Sequence, residues 1–113
     1  MKAILIDVKN QEVREVEIEK GLRAIYDVMD VQMIETATYL PNGDCIYCDE
    51  DGFATMDANS MFFDVGAHQP FIGNGLVVGT NQNTGATVSA KSTVEDIRKL
   101  VKFKDLWQVR MSV

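Results

Sequence analysis

The chain opens on a run in which apolar residues fill both parities, Ala3-Ile4-Leu5-Ile6 within Lys2 to Val8. A strand with that pattern is buried on both faces and belongs in the middle of a sheet. A polar turn, Lys9-Asn10-Gln11, leads to Glu12 to Glu19, where Val16 and Ile18 alternate with Glu15, Glu17 and Glu19. This second run reads as a half-buried strand whose charges suit a sheet edge, and the two form a hairpin. After Gly21, the residues Leu22, Ile25, Tyr26 and Met29 recur at helical spacing and predict a short helix over 22–29. Val31 to Leu40 reads as a strand with Ile34, Thr36, Thr38 and Leu40 on one face. Pro41-Asn42-Gly43-Asp44 is the strongest turn signal in the chain, because Asn-Gly tolerates the positive φ of a tight hairpin. Cys45-Ile46-Tyr47-Cys48 then returns as the partner strand.

The second half is more broken. Asp49-Glu50-Asp51-Gly52 is an acidic turn, and 53–64 is expected to be a loop leading into a short strand that buries Met61, Phe62 and Phe63. Gly66, Pro70, Gly73 and Gly75 punctuate an irregular stretch. Leu76 to Thr80 is a strand, and Asn81–Gly85 turns it into Ala86-Thr87-Val88. Ser92-Thr93-Val94-Glu95 fits a capping box with Ser92 as the N-cap. The helix it opens carries an apolar stripe of Val94, Ile97, Leu100 and Val101, and it ends near Phe103 among Arg98, Lys99, Lys102 and Lys104. The tail alternates, Trp107, Val109, Met111 and Val113 against Gln108, Arg110 and Ser112, so 104–113 reads as a terminal strand or arm. The expected architecture is one α+β domain over 1–113, a mostly antiparallel sheet with two short helices.

Length and charge narrow the function classes. At 113 residues the chain holds one domain, large enough for a core without metals or disulfides. No apolar run approaches a membrane span, and the N-terminus reaches Asp7 too soon for a signal peptide, so a cytoplasmic location is expected. The net charge is −6, with 14 acidic and 5 basic residues in 1–64 and 3 and 6 in the remainder. An acidic chain repels a phosphate backbone, which argues against direct nucleic-acid binding.

Each candidate motif has a plain structural reading. Cys45-x-x-Cys48 lies on a strand, where positions three apart point to opposite faces and cannot share a disulfide or a metal. Gly73-Asn74-Gly75 followed by Gly79 has the wrong spacing for a dinucleotide loop, and it opens a strand rather than a helix. The acidic turn at 49–52 lacks the spaced ligands of a calcium loop. His68 is the only histidine. An enzyme would need it beside a carboxylate such as Asp64. No catalytic residue, cofactor or metal is assigned from the sequence.

The order of features resembles an uncharacterised family of short proteins encoded by bacteriophages and bacterial mobile elements. The resembling stretches are Met1–Val8, Asn42-Gly43-Asp44 with Ile46-Tyr47, Asp51-Gly52, Phe62-Phe63, Gln69-Pro70 and Gly75-Leu76-Val77-x-Gly79-Thr80, through to Phe103. The resemblance implies an accessory gene and brings no catalytic residues; it places Val where this chain has Cys48.

These readings converge on a non-catalytic accessory protein that binds a host or phage protein. A small-ligand binder, sequestering a nucleotide signal or another small anion with the 66–85 loops, is the alternative. Either could form a homo-oligomer. The density of special backbone residues points to the Gly66–Gly75 loop, with the 81–85 turn beside it. His68, Gln69, Gly73, Asn74 and Gly75 are the expected binding residues.

Overall fold

The computed structural model describes residues 1–111. Two hairpins form locally, as the patterning predicts. Strands β1 (Lys2–Asp7) and β2 (Glu12–Glu17) pair antiparallel, and so do β3 (Ile34–Tyr39) and β4 (Cys45–Asp49). Between them lies helix α1 (Leu22–Met29), which buries Ile25 and Met29. Three further strands follow: β5 (Met61–Asp64), β6 (Phe71–Ile72) and β7 (Gly75–Thr80). Then come β8 (Thr87–Val88), α2 (Val94–Leu100), β9 (Lys102–Asp105) and α3 (Leu106–Met111).

The main sheet has the order β2-β1-β7-β4-β3, with β8 added beside the end of β7. Strand β7 is antiparallel to both of its neighbours and joins the two hairpins: Val77 stands opposite Ile4 on one side and Ile46 on the other. Its apolar run is buried on both faces. A small second sheet, β6-β5-β9, packs beside α2 on one face of the main sheet. There Ile4, Ile6, Ile46 and Val77 meet Phe63, Phe71 and Ile97. On the other face Ala3, Leu5, Leu76 and Val78 meet Ile25 and Met29 of α1. The two cysteines divide between these cores, Cys45 to the α1 face and Cys48 to the opposite one.

Two glycines of β7 are required by close packing. A Cβ on Gly75 would lie 2.7 Å from the Phe63 ring, which fills the space that glycine leaves. A Cβ on Gly79 would collide with the Ser89 carbonyl, where the chain leaving β8 crosses over.

Four local expectations are corrected. Helix α2 starts one residue later than Ser92. Thr93 is the N-cap, and Asp96 closes a true capping box with it. Ser92 is instead buried and bonded to Asp44. The helix also stops at Leu100: Lys102, Phe103 and Lys104 belong to β9, because Phe103 pairs opposite Phe63 and extends the small sheet. In the tail, 106–111 is helical rather than strand-like, giving a third helix. Asp105 and Gln108 exchange side-chain-to-backbone hydrogen bonds at 2.8 and 2.9 Å, the reciprocal arrangement of a capping box, and this local bonding overrides the period-two pattern. Ser112 and Val113 of that pattern lie outside the described residues. Last, the register of β3 against β4 shifts between Thr36 and Thr38. The extra residue reverses the parity, so Ile34 packs with the α1 core while Ala37 and Leu40 pack with the opposite one.

Gly79→Ala tests the crossing directly. The added methyl group meets backbone, which cannot rotate away, so a loss on the order of 1–3 kcal/mol is expected in urea unfolding. A wild-type midpoint would show that the 89–90 segment does not press on β7.

Candidate functional site

The residues expected from the sequence lie in the stretch that leads through β6 into β7, but they do not form one surface. His68 and Gln69 are exposed on the loop between β5 and β6. The His68 ring stands edge-on to Phe71, with centroids 6.2 Å apart. Asn74 is turned inward: its Oδ1 accepts from the Val8 amide at 3.0 Å, and its Nδ2 donates to the Met29 carbonyl at 3.3 Å. It therefore ties the end of β1 to the end of α1. Gly73 has a positive φ of 81° and donates its amide to the Met61 carbonyl, and Gly75 makes room for Phe63. The 81–85 turn is not beside this loop. It lies at the other end of β7, a six-residue strand and so roughly 20 Å away. Its geometry is set internally, with Asn81 Oδ1 accepting from the amides of Asn83 and Thr84.

Asp64 is also engaged. Its carboxylate accepts from Lys104 Nζ at 2.9 Å and from the Gly66 amide at 2.8 Å. The Lys104 hydrogen bond, followed by the Gly66 amide, holds its pKa below the ordinary carboxylate range. A carboxylate held this acidic is a weak base near neutral pH. Cys48 is poised no better for chemistry. Burial, reinforced by the nearby Glu35 carboxylate, pushes its pKa up to about 12, so the thiol stays protonated and unreactive.

The densest polar cluster was not anticipated. Asp44 is fully buried at the tip of the β3–β4 hairpin. Its carboxylate accepts from the amides of Lys91 and Ser92 and from Ser92 Oγ, the last two at 2.7 Å. Asn42 Nδ2 donates to the same Ser92 Oγ, and Asn42 Oδ1 accepts from the Asp44 amide. Apart from the Asp44 amide, which stays within the tip, these donors pin the hairpin tip to the entry of α2, which makes the cluster structural. The sequence shows Asn42 and Asp44 only as turn residues; their partners lie about fifty positions away.

A different feature stands open. The two edges of the main sheet are unlike. Strand β2 presents Glu12, Arg14, Glu15 and Glu17, a charged edge that discourages pairing. Strand β3 carries one charge, Glu35, among Ile34, Thr36, Ala37, Thr38 and Tyr39, and its outer side pairs with no described strand. Tyr39 is 68% exposed. At the opposite end of β3, Met33 is 47% exposed, and its carbonyl accepts from the Glu50 amide. Exposed Phe53 and Met56 follow in the turns just after Glu50. The scarcity of charge in 34–39, Glu35 alone, was the available sequence signal for this edge.

A family model described as Domain of unknown function (DUF3846) matches residues 1–102. The chain belongs to this family. Neither a curated protein nor a solved structure is significantly similar to it. The matched segment runs from β1 to the start of β9, so both hairpins, β7 and α2 lie within it, while α3 follows the match.

Two outcomes are expected. Ser92→Ala removes one donor from the buried Asp44 carboxylate and should cost on the order of 2 kcal/mol in urea unfolding, more than a lost helix cap alone. Asp64 makes stability pH-dependent. Its folded pKa lies below its unfolded value, so its contribution is complete above the unfolded pKa and is lost as pH falls through the folded one. The stability gap between wild type and Asp64→Asn should therefore be full at neutral pH, begin to narrow only below about pH 4, and close once the pH has fallen below the folded pKa. A gap unchanged in acid would show that the Asp64–Lys104 bond contributes nothing.

Proposed function

We propose that this is a non-catalytic accessory protein of a phage or mobile element, acting in the cytoplasm by binding a host or phage protein. The partner contributes an extended segment that adds along the outer edge of β3. The difference between the two sheet edges carries this reading: the acidic β2 edge is protected by charge, while β3 offers backbone groups among nearly uncharged residues. Strand addition gains its affinity from main-chain hydrogen bonds and its selectivity from flanking side chains. Tyr39 at one end of the strand and Met33 just before the other are exposed apolar side chains placed to give that selectivity. Aromatic residues and Met are enriched at protein interfaces for this reason. The bulge at Ala37 limits continuous pairing to the residues on either side of it. The excess of negative charge, −6 overall, favours a partner with a basic flank to its binding segment.

Photo-crosslinking in the natural host tests the reading. A photoreactive residue placed at Thr36 or Tyr39 should give a covalent adduct with one distinct protein, and the same residue at Glu15 on β2 should not. Adducts only from Glu15, or an adduct of twice the chain mass from Tyr39, would replace this reading with binding through the acidic edge or with self-association.

A further inference from the structure

A second recognition feature lies away from β3, where α2 runs into β9. Lys99 comes from the last turn of α2, and Lys102 and Lys104 from alternate positions of β9, which share one face of the strand. All three line a concavity of about 220 Å³ whose other walls are Leu100 and the Asp64–Gly66 end of β5. The site is strongly basic for a chain of net charge −6.

The local charges can be weighed one by one. Lys104 is bonded to Asp64 at 2.9 Å, and both side chains are about one-fifth exposed, so that pair is held in place and close to neutral. Among the described residues, neither Lys99 nor Lys102 forms an ion pair. The end of α2 adds the helix's negative pole, equivalent to about half a charge. Two ammonium groups outweigh it, and the concavity is left with a positive field. The space beside Gly66 is open, since a Cβ there would meet nothing within 4 Å.

We propose that this concavity binds the phosphate group of a small anion, either free phosphate or a nucleoside monophosphate. Ammonium groups bind phosphate through charge-assisted hydrogen bonds, and Lys serves as a mobile point charge where no planar fork is needed. The volume lies below the range of pockets that enclose drug-sized ligands, which restricts the ligand to a compact anion with any remaining group lying outside. The small-anion reading of the 66–85 loops shares only Gly66 with this site. The β3 edge plays no part in it, so the two proposals fail independently.

Titration of the folded chain by NMR, at physiological ionic strength, tests it with inorganic phosphate and with adenosine monophosphate as probes. Saturable shifts are expected at the amides of residues 65–66 and 99–104. Lys99→Gln with Lys102→Gln, both exposed and outside any ion pair, should weaken binding at least about tenfold, the effect of losing one charged hydrogen bond. Lys9→Gln with Lys20→Gln removes the same charge elsewhere and should leave binding unchanged. Equal affinity for the two probes would mean that the phosphate alone is recognised, and tighter binding of the monophosphate that the nucleoside is held as well. Shifts that never saturate, or equal loss in both double variants, would reduce the effect to general charge screening and overturn the proposal.

Discussion

Strand β7 is the constraint on which the rest depends. The hairpins β1–β2 and β3–β4 each form from near neighbours in sequence, yet they do not pair with one another. Only when β7 inserts between β1 and β4 do they become one sheet with two buried faces. Its residues Leu76, Val77 and Val78 are completely buried. Burying each such side chain stabilises by roughly 1.5–3 kcal/mol, and here the gain is realised on both faces of one strand. The same crowding explains the glycines at its ends. Where a ring or a carbonyl presses on the strand, no side chain fits.

Polar anchors complete what β7 begins. Asn74, just before β7, links β1 to α1, and Asp44 links the β3–β4 tip to the start of α2. A buried carboxylate is tolerated only when its acceptors are filled, and Asp44 is filled by two amides and a hydroxyl. No buried side-chain nitrogen or oxygen among the described residues lacks a partner. With the interior so fully satisfied, the features left open lie at the surface: the nearly uncharged β3 edge and the basic concavity where α2 runs into β9.

Charge gives those two features their setting. The acidic residues concentrate before residue 65, on β2, on α1 and in the turns after β3 and β4. That distribution leaves β3 nearly neutral and β9 basic. Cross-strand placement sharpens it: Lys102 stands opposite Asp64, while Phe103 between the lysines faces the core opposite Phe63. Alternation along one short strand thus serves packing and electrostatics at once.

How much was legible in the sequence follows the range of the interactions. Periodicity and turn chemistry act between neighbours, so they determined the two hairpins, the bounds of α1, the two-sided burial of β1 and the separation of Cys45 from Cys48 onto opposite faces. They failed where a local pattern competed with a distant partner. Ser92 looks like a cap but is taken by Asp44, and Lys102 to Lys104 look helical but pair with β5. The expected binding loop was read from glycine density, a signal that does not distinguish exposure from close packing: Gly75 turned out to be packed and Asn74 bonded inward, leaving His68 and Gln69 at the surface. The tertiary structure alone decided that β7 lies between the hairpins, that β3 is left as an open edge, and that three lysines from two elements share one concavity. Each of these depends on which segments meet across the chain, and that is set by the burial of the whole core rather than by any stretch of residues read alone.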